Sequence, residues 1–261
     1  MKTVILAGGY GTRISEESHL RPKPMIEIGE KPILWHIMKY YASFGFNEFI
    51  VCCGYKGYMI KEYFADYYLH TSDVTFDFTK GGYGHMEVHN NESEPWRVTL
   101  VNTGRDVQTG GRIKRIRKYV GDERFLLTYG DGVSNVDLNA LLNLHNSNHH
   151  TVTLTGVQLA GRFGLLDIND HTVTAFREKD IEESGWINGG FMVCEPNVFE
   201  YIDGDETNFE RISLPKIVAA GGLGVYKHFN FWQCMDTQRD RQKLEQLWET
   251  DAAPWKVWDT E

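Results

Sequence analysis

Cysteine is sparse in this chain, basic charge is in deficit, and no apolar run is long. Only Cys52, Cys53, Cys194 and Cys234 occur in 261 residues. None stands in Cys-x-x-Cys spacing, and Cys52-Cys53 lies inside an apolar run, so neither a disulfide framework nor a zinc site is indicated. Lys and Arg total 27 against 36 Asp and Glu, a net charge of -9. That sign argues against nucleic acid as a main partner, since a protein that tracks a phosphate backbone carries a basic stripe. A few cations gathered in one cleft can still bind a small anion. No apolar stretch approaches the roughly 20 residues of a membrane span, and the N-terminus is unlike a secretory leader: one lysine, then a short apolar run that ends in glycines. The chain is therefore expected to be soluble and cytoplasmic, with no membrane partner. Repeats and low-complexity linkers are also lacking.

What is present suffices for a core, with 41% apolar and 13% aromatic residues. Thr3-Val4-Ile5-Leu6 reads as a buried strand, and Leu6-Ala7-Gly8-Gly9-Tyr10-Gly11-Thr12-Arg13 follows directly. Glycines where a strand feeds a helix let backbone N–H groups turn toward an anion, and Arg13 and Lys23 nearby can neutralise a polyphosphate. The spacing excludes the two familiar phosphate loops. Arg13 and Ile14 stand where a P-loop needs Lys-Ser/Thr, and Ile14 stands where a dinucleotide fingerprint needs its third glycine. By themselves the glycines are equally an ordinary strand-to-helix turn.

Helical spacing follows Pro32, at Leu34, Ile37, Met38, Tyr41 and Phe44, and stops at Gly45. Phe49 to Cys53 reads as the next strand, and Ile60, Tyr63, Phe64 and Tyr67 mark another helix. This alternation predicts an α/β fold, a mostly parallel sheet with helices on its faces that binds ligands beyond the carboxyl ends of its strands. Asp73 to Val101 breaks the pattern and reads as a β-hairpin excursion that includes Trp96 to Val101. Its His85 and His89 read as loop residues, not metal ligands. Further elements are a helix from Arg112 to Val120 and strands at Phe125 to Tyr129, Val152 to Leu154, Ile187 to Val193 and Gly224 to Phe229. Helical pieces are expected at Pro196 to Ile202 and Leu214 to Ala220, with a final helix after Asp236. One domain, 1–261, is expected, with 1–158 mainly binding nucleotide and 159–261 completing the sheet and building an acceptor pocket.

Asp131, in Tyr129-Gly130-Asp131-Gly132, sits just past a buried strand. A magnesium ion on nucleotide phosphates needs one or two such oxygens, although Gly-Asp-Gly is also a plain turn. Asp236 is its candidate partner or, equally, the N-cap of the final helix. Thr109-Gly110-Gly111-Arg112 is a second glycine turn entering a helix. Glu178, Lys179, Asn188 and Gly189 lie at strand edges, where together they can orient a phosphorylated, hydroxyl-rich acceptor.

These residues in this order resemble the sugar-nucleotide pyrophosphorylases, nucleotidyltransferases that join a nucleoside triphosphate to a sugar 1-phosphate. The likeness covers nearly the whole chain and is close to the glucose-1-phosphate cytidylyltransferase branch. Its more specific stretches are Lys31 to Met38, Cys52 to Gly57, Glu94-Pro95-Trp96, Thr109 to Arg112, Thr128 to Val133 and Ala253 to Lys256. The resemblance implies a Rossmann-like mixed sheet and a magnesium-dependent reaction of CTP with a sugar 1-phosphate, giving a CDP-sugar for cell-surface polysaccharide (O-antigen or capsule), and a homo-oligomer. It assigns Arg13, Lys23 and Asp131 to catalysis. Asp131 and Asp236 take the metal. Leu6, Ala7, Gly8, Gly9, Gly11, Thr12, Thr109, Arg112, Thr128 and Gly130 go to the nucleotide, and Glu178, Lys179, Asn188 and Gly189 to the sugar phosphate. Three departures from the pattern, at Asp180, Ile212-Ser213 and Cys234, all lie on the acceptor side. They leave a different phosphorylated acceptor as an alternative, and a non-catalytic relative as a further one.

Overall fold

Lys2–Ala7 is the central strand of an eight-stranded sheet in the computed structural model, which describes residues 1–79, 85–158, 165–169, 172–177 and 185–258. It pairs in parallel with Glu48–Cys53 on one side and Phe125–Tyr129 on the other, and Arg97–Asn102 extends the first side in parallel. Beyond Phe125–Tyr129 the sheet turns antiparallel through Met192–Cys194 to Val152–Val157. Leu223–His228, parallel to Val152–Val157, forms the far edge. This is the expected Rossmann-like mixed sheet.

Alternation along the strands fills a core layer on each face. Ile5, Ala7, Phe49, Val51, Cys53 and Leu126 enter one layer; Val4, Leu6, Ile50, Cys52, Phe125 and Leu127 enter the other. The helix Ile33–Ser43 covers the first with Ile33, Leu34, Ile37, Met38 and Tyr41, a three-and-four spacing that makes one apolar stripe. Each such side chain contributes roughly 1.5–3 kcal/mol by leaving water. Pro32 stands just before its first residue and Gly45, at φ +87°, just past its last turn, so both punctuation residues act as the sequence suggests. Ile113, Ile116, Leu214 and Ile217, from the helices Thr109–Arg115 and Leu214–Ala219 and the turn after the first, cover the second layer.

Several boundaries differ from the sequence reading. Trp96 to Val101 is not part of the excursion, because Arg97–Asn102 joins the main sheet; only Asp73–Asp77 and His85–His89 form the separate hairpin. The expected strand Ile187 to Val193 is two short pieces, Ile187–Asn188 and Met192–Cys194. Gly190 at φ +77° and Phe191 at φ +43° turn the backbone out of extended geometry between them. The helix expected at Arg112 to Val120 starts three residues earlier, at Thr109, and a break at Ile116 separates it from Arg117–Val120. The helical piece expected at Pro196 to Ile202 is present as the 3-10 helix Pro196–Tyr201. The strands Leu165–Asn169 and Thr172–Arg177 pair with each other.

Candidate active site

Three neighbouring parallel strands end at Ala7, Cys53 and Tyr129, and glycine follows each: Gly8, Gly54 and Gly130. Gly130 N–H donates to Leu6 O at 3.0 Å and Tyr55 N–H to Gly8 O at 3.2 Å, so the three turns lie side by side at the carboxyl edge of the sheet. Lys2–Ala7 is flanked on both sides here, the switch point at which such sheets bind ligands. A cleft of about 600 Å³ opens at this edge. Leu6, Ala7, Gly8, Gly9, Gly11, Thr12, Lys23, Thr109, Arg112, Gly130, Asp131 and Asp236 all line it, as do Tyr10, Arg105, Gln108 and Tyr129.

Lys23 occupies its floor, 9% exposed, and donates from Nζ to Asp131 Oδ2 at 2.6 Å and to Asp236 Oδ1 at 2.5 Å. Burial disfavours the ammonium, yet the two carboxylates outweigh it and raise the lysine above its ordinary value. Residues 105 apart in sequence meet here because Trp232–Cys234 pairs antiparallel with Gly132–Ser134, and Met235 N–H then donates to Asp131 O at 2.8 Å. Asp236 is not the N-cap of the final helix. That helix, Gln238–Glu249, is capped by Thr237, whose hydroxyl accepts from Asp240 N–H while the Asp240 carboxylate accepts from Thr237 N–H. Asp236 is thereby set one residue before the cap, with its carboxylate on Lys23.

Arg112 is 5% exposed and does not project into open space. Its guanidinium donates to the carbonyls of Gly8, Gly104 and Arg105 and to the Thr103 hydroxyl, all within 3.0 Å. A Cβ on Gly8 would fall 2.2 Å from Arg112 Nη1, so glycine there admits the guanidinium as well as freeing the backbone. The residue thus ties the glycine loop to the 103–105 turn. Thr109 Oγ1 donates to Glu210 Oε2 at 2.6 Å, and Tyr129 donates to Glu210 Oε1 at 2.7 Å. Asn188 Nδ2 in turn donates to the Tyr129 hydroxyl at 3.1 Å.

Other residues named from sequence lie elsewhere. Thr128 is buried at 2% exposure and is not in the cleft lining, where its neighbour Tyr129 stands. Gly189 is buried with its carbonyl accepting from Trp232 Nε1 at 2.7 Å, and Asn188 reaches the cleft only through Tyr129. Arg13 lies in the short turn Thr12–Ile14 at the end of the glycine loop, its side chain outside the described residues. Glu178, Lys179 and Asp180 also lie outside the described residues. Tyr129, Glu210, Tyr10 and Arg105 are not among the site residues the sequence assigns. Tyr129, beside Gly130-Asp131, and Tyr10, within the glycine loop, carry a local signal; Glu210 and Arg105 carry none.

Residues 2–237 match the family model described as nucleotidyl transferase. The chain belongs to the nucleotidyl transferase family. It is 53% identical over 260 residues to the glucose-1-phosphate cytidylyltransferase of Salmonella typhimurium, covering 99% of this chain and 100% of that one. It is 43% identical over 259 residues to a probable glucose-1-phosphate cytidylyltransferase of Bacillus subtilis, with 99% and 100% covered. Among solved structures, that of HddC from Yersinia pseudotuberculosis superposes with a TM-score of 0.68 at 26% identity, covering 95% of this chain and 99% of that one.

Nucleotidyl transferases generally depend on a divalent metal, and the donor set of this one fits magnesium. Asp131 and Asp236 offer hard carboxylate oxygens on the cleft wall, both within reach of one ammonium and both partly exposed. No group of three or more His, Cys, Asp or Glu that could hold a metal occurs among the described residues. Two carboxylates with phosphate oxygens and water are what magnesium on a nucleotide asks for. Among the described residues no helix is long and apolar enough to cross a membrane.

Proposed function

We propose that this nucleotidyl transferase joins CTP to α-D-glucose 1-phosphate, giving CDP-glucose and pyrophosphate. The observation that carries the reading is the full-length likeness to the Salmonella glucose-1-phosphate cytidylyltransferase. An oxygen of the sugar phosphate attacks the α-phosphorus of CTP, and the bond to the β,γ-pyrophosphate breaks. The acceptor is already ionised, so the site needs positioning and charge neutralisation more than a base.

Lys23, on the cleft floor, would hold the triphosphate as charge moves onto the leaving pyrophosphate, with Arg13, at the loop's end, as its partner. Magnesium, when bound to Asp131 and Asp236, would neutralise phosphate oxygens. The backbone of Leu6 to Gly9, with Gly11, Thr12, Thr109 and Gly130, would cradle the nucleotide; Arg112 positions that loop, and Thr128, buried in the sheet opposite Ile5, would act only through its neighbours Tyr129 and Gly130. Lys179 and Glu178 are proposed for the sugar phosphate, with Asn188 and Gly189 behind Tyr129. The product would serve cell-surface polysaccharide synthesis from a cytoplasmic enzyme. A homo-oligomer is part of the reading, supported by Phe76 and Phe78, 50% and 70% exposed and stacked 6.2 Å apart on the hairpin.

Pyrophosphate release with magnesium, across CTP, UTP, dTTP and GTP and a panel of phosphorylated acceptors, tests this reading. CTP with glucose 1-phosphate is expected to be the fastest pair. Equal turnover with UTP or dTTP would sink the nucleotide assignment, and preference for another phosphate would sink the acceptor.

A further inference from the structure

Beyond the glycine loop from the main cleft, a second cavity of about 390 Å³ lies against the start of the helix Gly57–Ala65. Lys56, Lys61 and Arg105 line it together with Tyr55 and Tyr58, and no carboxylate does. This is anomalous for a chain of net charge -9. Several cations elsewhere are paired, as in Arg21 with Glu27, Lys39 with Glu94, Arg115 with Asp205 and Arg241 with Glu17. Among the described residues none of these three forms an ion pair. Lys56 Nζ donates to the His19 carbonyl and sits 5.4 Å from the Tyr55 ring centre. The Arg105 guanidinium carbon lies 5.7 Å from the Tyr10 ring and 5.9 Å from the Tyr55 ring.

Three like charges in one concavity repel one another, and an anion seated among them removes that cost. We propose that this cavity is a second anion site, built for a di- or triphosphate chain, with Lys56, Lys61 and Arg105 as its contacts. A single phosphate would engage fewer of the three. Arg105 also lines the main cleft, and the Tyr10 hydroxyl, on the tip of the glycine loop, donates to Asp106 beside it. An anion that draws Arg105 outward therefore acts on the loop that faces the nucleotide. This coupling rests on the nucleotide reading of the cleft; the anion site itself does not.

Calorimetric titration of the whole protein tests both parts, with inorganic pyrophosphate as probe, orthophosphate as comparison, and CTP titrated with and without pyrophosphate in a separate arm, where a CTP affinity that pyrophosphate leaves unchanged would overturn the coupling. Pyrophosphate is expected to bind even when CTP saturates the cleft. In the double variant Lys56→Gln, Lys61→Gln that binding should weaken about tenfold or more, the size expected for losing two charge-assisted contacts, while CTP affinity stays within about twofold. A second equivalent of CTP lost in the same variant would assign the site to a nucleotide's triphosphate instead of free pyrophosphate. No pyrophosphate binding to the CTP-saturated protein when only one equivalent of CTP binds, or binding unchanged in the double variant, would overturn the site. Pyrophosphate binding that is lost in the double variant, in a protein that fails to bind CTP, would keep the site and remove the nucleotide reading.

Discussion

Tyr129 and Glu210, 81 residues apart, share a hydrogen bond of 2.7 Å in which the phenol donates to the carboxylate. Glu210 lies in the π-helical turn Phe209–Ser213, where the wider turn brings its second oxygen to within 2.6 Å of the Thr109 hydroxyl. Two donors thus converge on one carboxylate between the nucleotide side and Asn188. Burial, then the Glu210 charge, pushes the Tyr129 pKa far up, so the phenol stays a donor. Glu210→Gln offers a single acceptor oxygen and must turn its amide NH2 on one of the hydroxyls. The expected result is a Michaelis constant for the sugar phosphate raised about tenfold, the effect of one misplaced buried hydrogen bond, with kcat changed less. A fall in melting temperature without any change in either Michaelis constant would make the contact purely structural.

Lys23→Ala should lower turnover by roughly a hundredfold or more, as deletion of a preorganised charge at a developing anion does. The same change leaves Asp131 and Asp236 facing each other without the ammonium that bridges them at 2.6 and 2.5 Å. The variant should therefore melt lower than the parent in metal-free buffer and regain more stability on adding magnesium. Equal magnesium stabilisation of parent and variant would show that the carboxylates do not share a cation.

Gly8→Ala tests whether Arg112 sets the glycine loop. The added Cβ meets the guanidinium at 2.2 Å, and that guanidinium is held by the acceptors at Gly8, Thr103, Gly104 and Arg105, so it cannot swing aside without losing them. A stability loss of about 1–3 kcal/mol is expected from the buried groups left unpaired, with weaker CTP binding. Arg112→Lys should behave alike, because one ammonium cannot span four acceptors as a planar fork does. Normal CTP affinity in both would remove Arg112 from the site's support.

The central strands were legible because Val4 to Ala7, Phe49 to Cys53 and Phe125 to Leu127 are continuous apolar runs, the mark of a sheet buried on both faces, and a glycine stands directly after the first two and three residues after the third. Asp131 and the glycine loop were legible because each stands just past a readable strand, whereas Lys23 was named as a cation close to that loop in sequence and through the family resemblance. What escaped reading depends on contacts distant in sequence. Choosing Thr128 over Tyr129 is a slip of one residue along a strand, which moves a side chain to the other face of the sheet. Glu210 and Arg105 carry no local mark, since their roles arise from turns that only the folded chain brings to Tyr129 and Tyr10. Asp236 reads as a partner of Asp131 and also as a cap, because Asp is a good one; Thr237 with Asp240 three residues on is a stronger box, and it takes the capping role.

His36 makes stability depend on pH. It is fully buried on the helix Ile33–Ser43, with Nε2 2.7 Å from the Ile28 carbonyl and Nδ1 accepting from Trp255 Nε1 at 3.3 Å. Trp248 and Trp35 close over it with ring centres 4.6 and 5.3 Å away. Both nitrogens of the neutral ring are thus satisfied, and a proton on Nδ1 would face the indole N–H. Burial above all lowers its pKa to about 4. The unfolded chain, with a histidine near 6.5, then binds more protons than the folded one between these values, so this contribution is fully present above about pH 6.5 and is lost as pH falls toward 4. Its full size is at most about 3 kcal/mol, of which about 2 kcal/mol should be gone at pH 5. Urea unfolding at pH 7.5 and pH 5 measures the difference, and His36→Gln, which keeps a donor and an acceptor but no titration, supplies the reference. His145 and His228, whose pKa values burial also lowers, titrate in both proteins and cancel in the comparison. The parent should lose more stability on acidification than the variant; equal losses would mean that His36 can be protonated inside its tryptophan cage without cost.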